Sequence, residues 1–135
     1  NHGIAHALGA IFHIPHGRAN AVLLPYVMAY NCGCRTSLTP AAERYAKMST
    51  VLSLDSGSSR QSAFGAIRAT KQLIRKLNIP SCIKNLGIPE NEFVAALDEM
   101  VDAAMADSCT ATNPRVPTKE ELKELFMEAY RGREI

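Results

Sequence analysis

Apolar residues recur every three or four positions along most of this chain, and this spacing constrains its fold more than any other feature of the sequence. It is clearest in residues 63–77, 93–104 and 122–130. An α-helix places residues at such intervals on one face, so each stretch predicts an amphipathic helix. No alternating apolar–polar run of four or more residues is flanked by hairpin turns, as the strands of a hairpin would be. The sequence therefore predicts an all-α helical bundle with about six helices.

Capping residues predict several helix ends. Thr118 and Glu121 have the spacing of a capping box, in which a hydroxyl and a carboxylate satisfy free backbone N–H groups at a helix start. Thr39 is predicted as an N-cap, with Pro40 in the first turn of the following helix. Residues 54–59 are expected to form a linker between two helices.

Length, charge and hydropathy restrict the possible partners. The 135 residues suit one domain, and a formal net charge of +2 provides no strong field to attract nucleic acid. The longest apolar run, residues 19–30, is interrupted by Asn20 and Pro25 and is shorter than the roughly 20 residues of a membrane span. We therefore expect neither a nucleic-acid partner nor a membrane segment.

The cysteine pattern indicates reduced thiols. Cys32 and Cys34 are one residue apart, whereas zinc and redox motifs place two residues between their cysteines. The other two, Cys82 and Cys109, are isolated in the sequence. Since disulfide frameworks belong mainly to shorter secreted chains, we expect a cytoplasmic protein with four free thiols.

The histidines are concentrated in the first sixteen residues, at positions 2, 6, 13 and 16. His2 and His6 are four residues apart, so on a helix their imidazoles project from the same face. Pro15 is predicted in the first turn of a second helix, and a tight corner there would let His16 return toward His2 or His6. Imidazole is the commonest metal ligand, and three such ligands suit zinc, iron, nickel or copper.

Spacing alone leaves a second interpretation open, in which these histidines are ordinary hydrogen-bonded side chains. A metalloprotease is disfavoured, because its motif needs a glutamate directly after the first histidine and Gly3 stands there. Since no histidine follows His16, the remaining ligands of any metal would be a carboxylate, a cysteine, water or residues outside this chain.

The histidine segment resembles a known family. Residues 2–25 read HGIAHALGAIFHIPHGRANAVLLP, and this string is similar to the metal-site segment of the iron-containing (group III) alcohol dehydrogenases. The likeness continues through VMAYN at residues 27–31 and TATNPR at residues 110–115, so it covers essentially the whole chain. The resemblance implies that residues 1–135 are the later part of the helical metal-binding domain of a dehydroquinate synthase-like fold. The α/β dinucleotide-binding domain would lie before them.

The resemblance also implies roles for individual histidines. His2 and His16 match two of the family's three histidine ligands, while its third histidine and its aspartate lie earlier in family sequences. His6 matches the histidine that lies near the nicotinamide and is implicated in proton transfer. His13 occurs in some members only, so no ligand role is given to it.

The implied reaction is hydride transfer between a primary alcohol or aldehyde and NAD or NADP, assisted by a divalent metal. Iron is the expected metal and zinc the alternative, and the enzyme is expected to be a homo-oligomer. The isolated chain should be inactive and should expose apolar side chains around Ile4, Leu8, Ile11, Val22 and Leu23, which would cause self-association. Two alternatives are a non-enzymatic helical module, with or without a structural metal, and a dehydroquinate synthase-like lyase.

Overall fold

The structure is a computed structural model that describes residues 1–54 and 57–133. These residues form helices joined by turns and contain no strand, which confirms the all-α prediction. The described part has seven α-helices rather than about six, because a single turn at Ser108–Ala111 also forms a helix. The helices are α1 (His2–Phe12), α2 (His16–Cys32), α3 (Ala41–Val51), α4 (Ser59–Lys76), α5 (Glu90–Ala106), α6 (Ser108–Ala111) and α7 (Lys119–Arg131), with a 3₁₀ turn at Ile83–Leu86 between α4 and α5.

The main hydrophobic core lies among α1, α2, α5 and α7. Its centre is aromatic: the rings of Phe93 and Tyr130 are stacked with centroids 4.5 Å apart, and Phe126 meets Phe93 edge to face at 6.4 Å. A second, smaller cluster joins the end of α2 to α3 and α4 through small side chains such as Ala63 and Ala66. Helix α2 contributes to both clusters and therefore connects the two parts of the bundle.

Two predicted helix starts differ from the observed ones. Thr39 does not cap α3, because its hydroxyl donates instead to the carbonyl oxygen of Asn31 at the end of α2. Pro40 stands immediately before α3 rather than within its first turn. Pro15 likewise precedes α2, in an extended conformation, and its carbonyl accepts the first helical bond from Ala19.

The capping box at α7 forms in part. The Thr118 hydroxyl accepts a hydrogen bond from the Glu121 N–H at 3.1 Å, as predicted. The Glu121 carboxylate, however, accepts from the hydroxyl of Tyr30 on α2. The predicted linker 54–59 is observed only in part, since Asp55 and Ser56 lie outside the described residues and α4 already begins at Ser59.

The expectation of uncovered apolar surface on the first two helices was wrong. Four of the five named side chains are buried within the chain, namely Ile4, Leu8, Val22 and Leu23, and Ile11 is partly buried. Helices α5 and α7 cover them, so this part of the core is closed by later segments of the same sequence. The predicted cause of self-association is therefore absent from this face of the described structure.

All four cysteines are free in the structure, three of them buried and Cys109 exposed. Among the described helices, none has both the length and the apolar character needed to cross a membrane.

Candidate active site

The corner between α1 and α2 brings three histidines together. Helix α1 ends at Phe12, its C-cap His13 has a left-handed backbone at φ 56°, and the chain then turns through Pro15 into α2. As a result, the ring centroids of His2 and His16 are 5.3 Å apart, those of His6 and His16 are 5.4 Å apart, and those of His2 and His6 are 5.8 Å apart. The prediction that His16 returns toward His2 or His6 is confirmed, since it lies near both rings, and among the ring contacts of the described residues His13 is not part of this group.

Asparagine side chains tie the starts of the two helices together. The Asn1 amide donates to the Asn20 side-chain oxygen at 2.7 Å and to its carbonyl at 3.1 Å. Asn20 in turn donates to the carbonyl of His16 at 3.0 Å, and its amide nitrogen lies 3.3 Å from Nε2 of the His16 ring. These contacts hold the His16 side of the cluster in place. The sequence analysis gave no role to Asn1 or Asn20.

The three imidazoles are of the ligand type that transition-metal ions prefer, and their ring centroids lie 5.3–5.8 Å apart. Among the described residues, the group whose ligand atoms all lie within 4.8 Å of one another consists of His6, Asp107 and Cys109, so His2 and His16 would need ligands from elsewhere to complete a metal site. All three side chains are exposed on the same face of the bundle. The cluster is therefore accessible from solvent on one side.

Asp107 is a site residue that the sequence analysis missed. Its Oδ2 lies 2.7 Å from Nδ1 of His6, across 101 positions of sequence. Its Oδ1 accepts from the Cys109 N–H at 2.8 Å, so Asp107 is also the N-cap of α6. The hydrogen bond with His6, followed by that from Cys109, holds the pKa of the Asp107 carboxyl below its usual value. Asp107 lies three residues before the TATNPR segment, and the sequence offered no further signal for it.

Cys109 completes a local group with these two residues. Ligand atoms of His6, Asp107 and Cys109 lie within 4.8 Å of one another. The thiol donates a hydrogen bond to the Asp107 carboxylate, and this bond together with desolvation raises the pKa of Cys109. The thiol is thus held in its neutral, less nucleophilic form beside the histidine cluster.

A glycine allows the contact between α1 and α6 that creates this arrangement. A Cβ atom at Gly3 would lie 2.0 Å from Oγ1 of Thr110 and 3.3 Å from its Cβ. Only a residue without a side chain permits this approach, and the approach brings Asp107 to His6.

Comparison with known proteins identifies the family of this chain. Residues 1–130 match the family described as Fe-containing alcohol dehydrogenase family, C-terminal. The chain belongs to this family. The sequence-based recognition is thereby confirmed.

Individual relatives support the assignment to the iron-containing alcohol dehydrogenases. The NADPH-dependent butanol dehydrogenase of Clostridium saccharobutylicum is 42% identical over 134 residues, which cover 99% of this chain and 33% of that protein. The bifunctional aldehyde-alcohol dehydrogenase of Escherichia coli is 35% identical over 144 residues, covering 98% of this chain and 16% of that protein.

Solved structures of the family share the fold. The alcohol dehydrogenase from Oenococcus oeni has a TM-score of 0.82 at 35% identity, over 96% of this chain and 32% of that one. The iron-containing alcohol dehydrogenase from Thermococcus thioreducens gives 0.82 at 34% identity, over 98% of this chain and 32% of that one. The chain thus spans about a third of the length of these two family members and corresponds to their helical region.

Proposed function

We propose that residues 1–135 are the C-terminal part of the helical domain of an NAD(P)-dependent, divalent-metal-dependent alcohol dehydrogenase. The full-length enzyme would interconvert primary alcohols and aldehydes, and an N-terminal α/β domain would bind the dinucleotide. The single observation that carries this proposal is the convergence of His2, His6 and His16 on one exposed face of a chain from this family.

The roles of the histidines follow from chemistry and position. His2 and His16 start two adjacent helices and would provide two imidazole ligands to the metal, with the remaining ligands coming from outside this chain. A divalent ion, iron by family and zinc as the alternative, supplies Lewis acidity that favours ionisation of an alcohol. His6 would lie near the nicotinamide ring and would accept the proton that leaves the substrate hydroxyl.

The proposed oxidation removes a proton and a hydride from the alcohol, and each has its own acceptor. The hydroxyl proton would pass to His6. A bound oxidised nicotinamide would supply the acceptor for the hydride of the carbon that bears the hydroxyl, so that the products would be an aldehyde, protonated His6 and the reduced cofactor. The cofactor supplies the redox chemistry, while this chain positions substrate and moves the proton. We propose a cytoplasmic homo-oligomer that uses small alcohols or aldehydes and has no nucleic-acid or membrane partner.

The test compares alanine variants of the four histidines in the full-length protein, by elemental analysis of metal and by the rate of alcohol oxidation. His2→Ala and His16→Ala should lose metal and activity together, because an incomplete ligand set cannot retain the ion. His6→Ala should keep the metal and lose roughly 10²–10⁴-fold in turnover, the usual contribution of a positioned acid–base group.

His13→Ala is the matched control, since His13 lies on the same segment outside the ring cluster. It should keep both metal and most activity. Loss of metal in His6→Ala with retention in His2→Ala would contradict the assigned roles. A full-length wild-type protein without alcohol oxidation would contradict the proposed function itself.

A further inference from the structure

The Asp107 carboxylate is held by two contacts that use different oxygens. Oδ1 accepts from the Cys109 N–H at 2.8 Å and caps α6, while Oδ2 lies 2.7 Å from Nδ1 of His6. The Asp107 side chain is 19% exposed and that of His6 is 43% exposed, so the pair sits at the rim of the bundle with the histidine toward solvent. Because the cap fixes the carboxylate, the hydrogen bond fixes the imidazole ring.

We propose that Asp107 is the positioning residue of His6 and selects its working tautomer. This inference rests on the proposed function, in which His6 accepts a proton. A carboxylate can only accept a hydrogen bond, so neutral His6 carries its proton on Nδ1 and donates it to Oδ2. The lone pair of Nε2 is then the one that receives the substrate proton. The arrangement follows the logic by which a buried carboxylate orients the histidine of a hydrolase triad.

The cap geometry makes Asp107→Asn a specific probe of this role. The Cys109 N–H still requires an oxygen acceptor, so the amide oxygen stays at the cap and the amide nitrogen faces His6. That nitrogen donates to Nδ1 and forces the proton of neutral His6 onto Nε2. The variant therefore retains the helix cap and the shape of the side chain while presenting the wrong tautomer.

The kinetic experiment uses the full-length, metal-loaded protein. We expect Asp107→Asn to lower kcat roughly 10²-fold, and no further than His6→Ala does, while KM for the alcohol and the metal content stay within twofold of wild type. In the double variant His6→Ala/Asp107→Asn, the second substitution should add nothing to the loss from the first, since Asp107 acts through His6. If Asp107 had a purely structural role, Asp107→Asn would lower kcat further in the His6→Ala background.

A spectroscopic measurement tests the tautomer without reference to activity. With ¹⁵N-labelled histidine in the zinc-loaded protein, the His6 ring should carry its proton on Nδ1 in wild type and on Nε2 in Asp107→Asn. Asp102→Asn is the matched control, because Asp102 pairs with Lys119 on the outer face of α5. It should change neither the tautomer nor kcat.

Two results would overturn the inference. One is an unchanged kcat in Asp107→Asn in an enzyme whose wild type is active. The other is a His6 ring that carries its proton on Nε2 in wild type. Since the tautomer is observed by NMR even in an inactive protein, failure of this inference is distinguishable from failure of the proposed function.

Discussion

At the scale of single residues, the candidate site depends on one unusual backbone conformation. His13 adopts φ 56°, and this left-handed residue ends α1 so that α2 can start beside it. A residue with a Cβ pays about 1–2 kcal/mol in this region, which glycine avoids. His13 is exposed, and among the described ring contacts it meets none of the other three histidines. Its role is conformational.

We predict that His13→Gly stabilises the protein by about 0.5–1 kcal/mol. Glycine removes the strain of the left-handed backbone, and this gain exceeds the extra conformational entropy that glycine loses when the chain folds. His13→Ala should leave stability nearly unchanged, because alanine carries the same Cβ penalty. Urea unfolding of the full-length protein measures both. A destabilised His13→Gly would show that the imidazole contributes contacts that outweigh the strain.

At the scale of elements, the contact between α1 and α6 joins the first helix to a segment that begins more than one hundred residues after the start of α1. Helix α6 is a single turn, capped by Asp107, and its Thr110 is buried against Gly3. A methyl group at residue 3 would lie 2.0 Å from the Thr110 Oγ1, so the Thr110 side chain would have to rotate out of its buried position. The Thr110 Cβ would still lie at 3.3 Å, so α6 would also have to shift by a few tenths of an ångström.

We predict that Gly3→Ala costs about 1–3 kcal/mol of stability, the usual effect of overpacking, despite the better helix propensity of alanine. Gly17→Ala is the control on α2, because a Cβ atom there would meet no described atom within 4 Å apart from its chain neighbours and the backbone of its own helix. It should be neutral or stabilising by up to about 1 kcal/mol. Equal melting temperatures for the two variants would mean that α1 and α6 are not in close contact.

At the scale of the molecule, the bundle has two cores of unequal strength. The core among α1, α2, α5 and α7 contains Phe93, Phe126 and Tyr130, whereas the cluster beneath α3 is built largely from alanine and cysteine side chains. Helix α3 buries only Ala41, Ala42 and Ser49. Because stability follows buried apolar surface, local opening should start at α3.

We predict that backbone amides of α3 exchange with deuterium faster than those of α5 and α7. The comparison is internal to one protein, so it needs no variant, and mass spectrometry of peptides from the three helices measures it. Equal protection across these helices would show that the bundle opens as one cooperative unit rather than in parts.

Sequence periodicity by itself determined the helical class and the approximate position of the longer helices, because one-sided burial requires apolar residues every three or four positions. The spacing of His2 and His6 also determined that their rings share a face. The HGIAHALGAIFHIPHG string identified the family, since it is a long and specific match.

Tertiary structure alone decided where distant segments meet. The bond between Asp107 and His6 joins residues 101 positions apart, and no local pattern encodes such a pairing. Thr39 and Glu121 show the same effect at helix starts, because their side chains bond to Asn31 and Tyr30 of α2. Local capping rules describe a helix in isolation, whereas in the folded chain a polar side chain bonds to whichever partner the packing of other helices brings within reach.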